Sequence, residues 1–358
     1  MNKESVTALL AEISDENSGR DLVSAGTVRN VDIADNSVSV EIRLGYMLAD
    51  KGEALAQVIK TRLESDPGID KASVNISSKV VAHKVQEDLK PLGSITNIIA
   101  VGSGKGGVGK STTAVNLALA MQREGARVGV LDADIYGPSI PAMLGVKGQP
   151  RTDGEHIIPK EAHGLKVMSI GFLVEEDSAM IWRGPMVTSA LQQLLNDTLW
   201  GNLDYLIIDL PPGTGDIQLT LAQRIPVAGA VIVTTPQDIA LLDARRAVNM
   251  FRKVDVPVLG VVENMSTHIC TSCGHEEAIF GHGGGEQMAK DFELPLLGRL
   301  PLAMEIRSSL DAGKPTMMKD SDSPHAKSYS ALARRTAGAL SVMPRSMALQ
   351  MPEIVIQN

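Results

Sequence analysis

Three groups of residues in this sequence have the types and spacing to do chemistry. The first is Gly104 to Ser111, "GKGGVGKS", which fits G-x-x-x-x-G-K-[ST]. Glycines at such intervals let consecutive backbone N–H groups curl around phosphate oxygens, and a helix opening there adds the positive end of its dipole. On this reading Gly104, Gly106, Gly107, Val108, Gly109 and Thr112 cradle the phosphates, Lys110 reaches the β/γ-phosphates, and the Ser111 hydroxyl binds Mg²⁺. Gly102, Gly104 and Gly107 also satisfy G-x-G-x-x-G, but that dinucleotide fingerprint leaves Lys110-Ser111 unexplained, and this pair decides for a nucleoside triphosphate. Lys105 is a second lysine at a position the plain motif leaves free. A cation there can reach a phosphate across a dimer interface, as an arginine finger does in trans.

The second group is acidic. "RVGVLDADIYGPS" ends an apolar run with Asp132 and Asp134, and "LDYLIIDLPPGTGD" ends another with Asp209, followed by Asp216 in a Gly-rich turn. A single aspartate is more often a turn or cap residue. Two strand ends beside a phosphate loop point instead to Mg²⁺ chemistry: a water-positioning carboxylate at the first, a Walker B-type aspartate at Asp209, a γ-phosphate sensor at Asp216.

The third group is Cys270 and Cys273 in "THICTSCGHEEAIF", the only cysteines of the chain. Structural zinc and iron–sulfur clusters usually take four protein ligands. His268, His275 and His282 lie near enough for a Cys₂His₂ zinc site within one chain. A redox dithiol, or an idle reduced pair, also fits two cysteines. A two-fold dimer offers a further solution, because it places the same patch of each chain face to face and two C-x-x-C pairs make a Cys₄ set for a [4Fe–4S] cluster.

Composition narrows the field. The 358 residues are 44% hydrophobic, 3% aromatic and carry a net charge of −8. So few rings disfavour a stacking surface for single-stranded nucleic acid, and the acidic balance disfavours generic binding to DNA or anionic membranes. Two cysteines make no secreted disulfide scaffold, and "MNKESVTALLAEISDEN" turns acidic too early for a signal peptide. No apolar run reaches bilayer-spanning length. The expectation is a cytoplasmic protein without a nucleic-acid or membrane partner.

The elements that position these residues can be read from periodicity. Residues 1–82 read as a small α+β domain, with helices at "SVTALLAEI" and "KGEALAQVIKTRLES", two strands joined at Asp35-Asn36, and a last strand at "IDKASVNI". A polar linker follows at 83–94. From 95 to 340, continuous apolar strands ("NIIAV", "RVGVLD", "LKVMSI", "YLIIDL", "GAVIVTT", "VPVLGVV") alternate with helices, the pattern of an α/β fold whose mostly parallel sheet is covered on both faces. The tail, 341–358, is expected to be extended or poorly ordered.

Taken together, "GKGGVGKST", "DADIYGPSIPAMLG", "MIWRGPM", "YLIIDLPPGTGDIQLTLAQ", "VTTPQDIALLDARRAVNMF", "GVVENMS", "CTSCG" and "FGHGGG" closely resemble the Mrp/ApbC iron–sulfur carrier ATPases. These are deviant Walker A P-loop proteins, related to MinD, ParA and nitrogenase iron protein. Residues 1–82, through "ISDENSGRDLVSAGTVRNV", resemble the small iron–sulfur assembly-type domain often fused to them. The resemblance implies an ATP-hydrolysing homodimer that transfers a labile [4Fe–4S] cluster to apo-proteins, with apo iron–sulfur proteins and cluster-assembly scaffolds as its partners. It implies that Lys105 acts in trans, that Lys110 and Ser111 serve phosphate and Mg²⁺, and that Asp134 orients the attacking water. Asp209 and Asp216 then match the Walker B and switch II positions, Asn264 recognises adenine, and Cys270 with Cys273 holds the bridging cluster. Many relatives carry a cysteine after the second strand of the small domain; here "IRLGYMLADKGEAL" has none. The alternative is a MinD/ParA-like regulator of a membrane or DNA partner, its cysteines a zinc or idle site. A membrane-targeting form would want a basic amphipathic terminal helix, and after Arg335 the sequence has one basic residue, Arg345.

Overall fold

The computed structural model describes residues 2–49, 52–173, 184–270, 272–320 and 322–346. Helix α1 (Lys3–Ala11) is capped by Asn2, whose side chain accepts from the Ser5 N–H. Strands β1 (Val28–Ala34) and β2 (Ser37–Leu44) form a hairpin, with Asp35 left-handed at φ 54°. Helix α2 (Gly52–Glu64) returns the chain to β3 (Lys71–Ser78), which pairs with β2 in parallel. The strict alternation of β2 buries Val38, Val40, Ile42 and Leu44 on one face. Val6 and Leu10 of α1 and Ile59 and Leu63 of α2 are buried in the same core.

The second unit runs through β4 (Ile95–Gly102), α3 (Lys110–Arg123), β5 (Val128–Asp132), α4 (Ile140–Met143), β6 (Lys160–Ala162), β7 (Leu165–Ser169), α5 (Gly184–Asn196), β8 (Leu203–Asp209), α6 (Asp216–Arg224), β9 (Gly229–Thr234), α7 (Asp238–Lys253) and β10 (Val258–Glu263). It continues through the short strands β11 (His268–Ile269) and β12 (Glu276–Glu277), α8 (Gly284–Asp291), β13 (Leu296–Arg299), α9 (Met304–Asp311), α10 (Thr316–Lys319) and α11 (Pro324–Ser341). Among the described residues, eight strands form one sheet in the order β6-β7-β5-β8-β4-β9-β10-β13, and β6 alone runs antiparallel to its neighbour. The fold class expected from the apolar runs is borne out: β5, β9 and β10 are buried at every residue, because helices cover both faces. The register matters for function. Asp209 pairs with Asp132, and Asp132 with Ser169, so three strand ends bring their polar residues to one edge, next to the loop leaving β4.

The two units share a core. Leu44 and Tyr46 belong to the same apolar cluster as Leu117, Met121, Ala333 and Ala337 of α3 and α11. Glu124, at the end of α3, pairs with Arg334 at 2.6 Å and accepts the Ala49 N–H at 3.3 Å. The segment expected to link the units is tied down. Asn97 on β4 accepts the His83 N–H and donates to the Val81 carbonyl, while Lys84 N–H bonds Pro344 O and Ser346 N–H bonds Ala82 O. The buried Gln86 side chain donates to the carbonyls of Ala222 and Ile225 and accepts from Val227 N–H, at the C-terminal end of α6. The expected extended tail is described as far as 346, where 344–346 lie along this strap. The rest of the tail, and residues 180–183 of "MIWRGPM", lie outside the described residues.

Candidate functional site

The loop leaving β4 forms because its glycines permit what other residues do not. Gly107 and Gly109 sit at φ 82°, and a Cβ on Gly104 would collide with the backbone of Asp243 in α7. Ser103 fixes the turn: its hydroxyl donates to Lys105 O at 2.9 Å, and its carbonyl accepts Gly213 N–H at 2.9 Å. Helix α3 opens at Lys110 behind Gly109, and no side chain caps it. Its first amides face a cleft lined by Lys105, Gly107, Lys110, Ser111, Thr112 and Asp134, among others. Uncapped N–H groups at the head of a long helix suit an anion.

Lys110 is the charge at the centre. Its ammonium is buried, donates to Asp209 Oδ1 at 2.6 Å, lies 3.5 Å from Asp134 Oδ2, and is 3.4 Å from the Ser111 hydroxyl. The other Asp209 oxygen, Oδ2, is buried and has no hydrogen-bond partner among the described residues. A buried carboxylate oxygen is costly to leave unpaired. Beside a serine hydroxyl and a phosphate cradle, it is an oxygen donor of the kind Mg²⁺ takes. The donor set therefore fits the metal implied by the motif. Burial pushes the Asp209 carboxyl up, against the pull of Lys110. Burial, with the Asp209 charge beside it, also pushes Asp132 up to about 7.

The structure thus brings Gly104 through Thr112, Asp134 and Asp209 together. Lys105 is exposed at the rim, and among the described residues no carboxylate pairs with it. Asp216 is the exposed first residue of α6, outside the residues lining the cleft. Asn264 lies against the other side of the loop, buried, with Nδ2 donating to Val108 O at 2.8 Å. Two supports escape a motif-based reading. Ser169 Oγ donates to Asp132 Oδ2 at 3.1 Å; the available signal was a polar residue ending the buried run "LKVMSI". Glu263, one residue before Asn264, accepts Gly285 N–H at 2.6 Å. A Cβ on Gly285 would meet the Glu263 side chain, which accounts for one glycine of "FGHGGG".

Cys270 and Cys273 sit apart, in the turn between β11 and β12. Cys270 N–H bonds His275 O, and Gly274 N–H bonds Cys270 O at 2.8 Å. The folded-back turn aims the amides of Cys273 and Ser272 at the Cys270 sulfur, and with the Cys273 side chain they hold its thiol below the ordinary range. Cys270 is part-exposed and Cys273 exposed. Of the three histidines, His268 has Nδ1 engaged with Leu302 O at 3.0 Å. Among the described residues no group of three or more His, Cys, Asp or Glu side chains is placed to hold a metal ion.

Residues 94–337 match the family described as NUBPL iron-transfer P-loop NTPase, and residues 3–76 match the family described as iron-sulfur cluster assembly protein. The chain belongs to the iron-transfer P-loop NTPase family. Its relatives in this family include the iron-sulfur cluster carrier protein of Haemophilus influenzae, 51% identical over 91% of this chain and 90% of that one. The carrier protein of Escherichia coli is 49% identical over 94% and 91%. Among solved structures, a nucleotide-binding protein from Archaeoglobus fulgidus in complex with ADP is 39% identical, with a TM-score of 0.56, covering 62% of this chain and 88% of that one. The cell division ATPase MinD of Pyrococcus furiosus, at 24% identity and a TM-score of 0.50 over 67% of this chain and 97% of that one, shares the fold. The resemblance read from the motifs is borne out by the family matches and the carrier relatives.

Proposed function

We propose that this iron-transfer P-loop NTPase is an ATP-hydrolysing homodimer. In this reading it carries a labile [4Fe–4S] cluster between the Cys270/Cys273 pairs of its two chains and passes it to apo-proteins. The observation that carries the reading is the cysteine turn. It presents two sulfurs at the surface, with backbone amides that favour thiolate at Cys270. That is half of a Cys₄ set, and a two-fold axis beside it would supply the other half. A cluster held at an exposed seam by four thiolates is accessible to an acceptor, as a carrier requires.

The nucleotide site has the parts for phosphoryl transfer. The α3 amides and Lys110 would hold the phosphates, Ser111 and Asp209 would hold Mg²⁺, and Asp134 would orient water, all of them at or beside one cleft. When bound, Mg²⁺ neutralises charge on the phosphate oxygens. Lys110 is the cation that answers the buried Asp209. With nucleotide bound, Lys110 would answer the β/γ-phosphates. Asn264 would exchange its Val108 bond for the adenine base. Two free cysteines suit a reducing compartment such as the cytoplasm; among the described residues no helix is long and apolar enough to cross a membrane.

The test is anaerobic reconstitution of the full chain with iron and sulfide, read by visible absorbance, metal content and mass. Two irons per chain in a dimer is the expected result, since one four-iron cluster serves two chains. A brown monomer, or a dimer with stoichiometric zinc and no affinity for iron and sulfide, overturns it.

A further inference from the structure

The loop from 133 to 140 carries Asp134, and its two ends meet on one carboxylate. Asp132 Oδ1 accepts the Asp134 N–H at 3.1 Å, and Oδ2 accepts the Ile140 N–H at 3.1 Å. Oδ2 also receives the Ser169 hydroxyl at 3.1 Å, and that hydroxyl oxygen in turn accepts Gly171 N–H at 3.0 Å. Asp132 and Ser169 are both fully buried. The same end of β7 supports the loop sterically, for a Cβ on Gly171 would press on the Pro138 ring. Asp132 therefore has both oxygens committed to three protein donors, whereas Asp134 is turned toward Lys110 at 3.5 Å.

We propose that Asp132, backed by Ser169, is a positioning residue for hydrolysis: it clamps both ends of the 133–140 loop and so fixes Asp134 at the phosphate site. The proposal rests on the reading of the chain as an ATPase. A carboxylate is needed because three donors converge on two acceptor oxygens. A carboxamide has one acceptor and would aim its NH₂ at one of those donors. The register of the sheet makes the clamp possible, since Ser169, Asp132 and Asp209 stand side by side on β7, β5 and β8. A loop freed at one end lets Asp134 wander by the ångström or so that costs on the order of 100-fold in rate when a reacting group is misplaced.

The experiment uses the full chain as wild type, Asp132→Asn and Ser169→Ala. It measures phosphate release, Mg-ADP affinity by calorimetry, and hydrogen exchange of the amides in 133–140. For Asp132→Asn, turnover should fall on the order of 30- to 100-fold while ADP affinity stays within about threefold, because the misplaced group acts on the reaction and not on the phosphate cradle. Exchange at Asp134 and Ile140 should accelerate. Ser169→Ala should give the same split at about three- to tenfold, since it removes one of three bonds. Unchanged turnover in both variants overturns the proposal, and so does a parallel loss of turnover and ADP affinity, which marks general damage. If Asp132→Asn does not fold, Ser169→Ala decides alone by the same split. If the wild type releases no phosphate, the ATPase reading itself has failed; exchange in Ser169→Ala then reads the clamp directly, and unaltered protection at 133–140 overturns it.

Discussion

Lys110 stands where the charges of the phosphate site meet. A buried ammonium 2.6 Å from one carboxylate and 3.5 Å from another is held by low-dielectric attraction that no surface pair has. Its removal has two consequences. Lys110→Ala takes away the charge that answers the β/γ-phosphates, so ATP turnover should fall by about 100-fold or more, the usual loss when a preorganised electrostatic group is removed from a transition state. The cysteine turn is built from its own hydrogen bonds between Cys270, Gly274 and His275, so iron content after reconstitution should stay near the wild-type value. Phosphate release and iron analysis on one preparation check both halves, and wild-type turnover would remove the ATPase assignment. At the cysteines the same reasoning is sharper. Cys270→Ala deletes two of four thiolates in a symmetric dimer. Each single substitution, Cys270→Ala or Cys273→Ala, should therefore abolish the visible absorbance of the reconstituted protein, where a site within one chain would lose one ligand in four. Retention of most of the absorbance by either variant speaks against the shared cluster.

The elements were legible in the sequence where hydrophobic period decides, and less so where packing decides. The phosphate loop, the strand-end aspartates and the cysteine pair announce themselves through residue type and spacing, and the sheet follows from apolar runs. The strap at 81–86 does not, because its order comes from partners distant in sequence: Asn97, Pro344, Ala222. Gly338 illustrates the limit. Inside α11 a glycine costs about 1 kcal/mol relative to alanine, which from sequence is only a weak spot. In the structure a Cβ there would strike the backbone of Asn17, so the glycine is what lets the small domain seat on the helix. Gly338→Ala should therefore destabilise the protein, by about 1–3 kcal/mol as overpacking does, although it raises helix propensity. Urea unfolding measures the sign, and a stabilised variant would mean that the domains do not rely on this contact. His83 gives the strap a pH dependence. Burial holds its imidazole below the ordinary 6.5 in spite of the Asn97 bond. The unfolded chain then binds the extra proton, so this stability is whole above about 6.5 and is lost as pH falls through the depressed folded value. Melting temperatures between pH 7.5 and 5 should drop more steeply for wild type than for His83→Leu; parallel curves would show that His83 does not carry the effect.

On the scale of the whole molecule, the shared core and the strap make each chain one packed body, and the proposed chemistry then lies between bodies. Lys105 is the residue that tests this. It is exposed at the rim of a cleft that already contains Lys110, so a second cation from the same chain adds little there. A cation from a facing chain would close the cleft over the phosphates. Consider chains carrying Lys105→Ala mixed with chains carrying Asp134→Ala, each inactive alone. In a mixed dimer, if Lys105 acts across the interface, the site that keeps its own Asp134 receives its lysine from the Asp134→Ala partner and is complete. The other site lacks both groups. Equal mixing with free exchange makes about half of all dimers mixed, each with one working site of two, so turnover should recover to about a quarter of the wild-type rate. If Lys105 acts within its own chain, one site of the mixed dimer lacks the lysine and the other lacks the aspartate, and nothing recovers. The measurement is phosphate release after exchange, with exchange itself verified by the mass of differently tagged chains. Recovery near a quarter establishes a nucleotide site composed of two chains. An inactive mixture with proven exchange confines each site to one chain, and ATP would then have no direct contact through which to hold together the two cysteine pairs proposed to share the cluster.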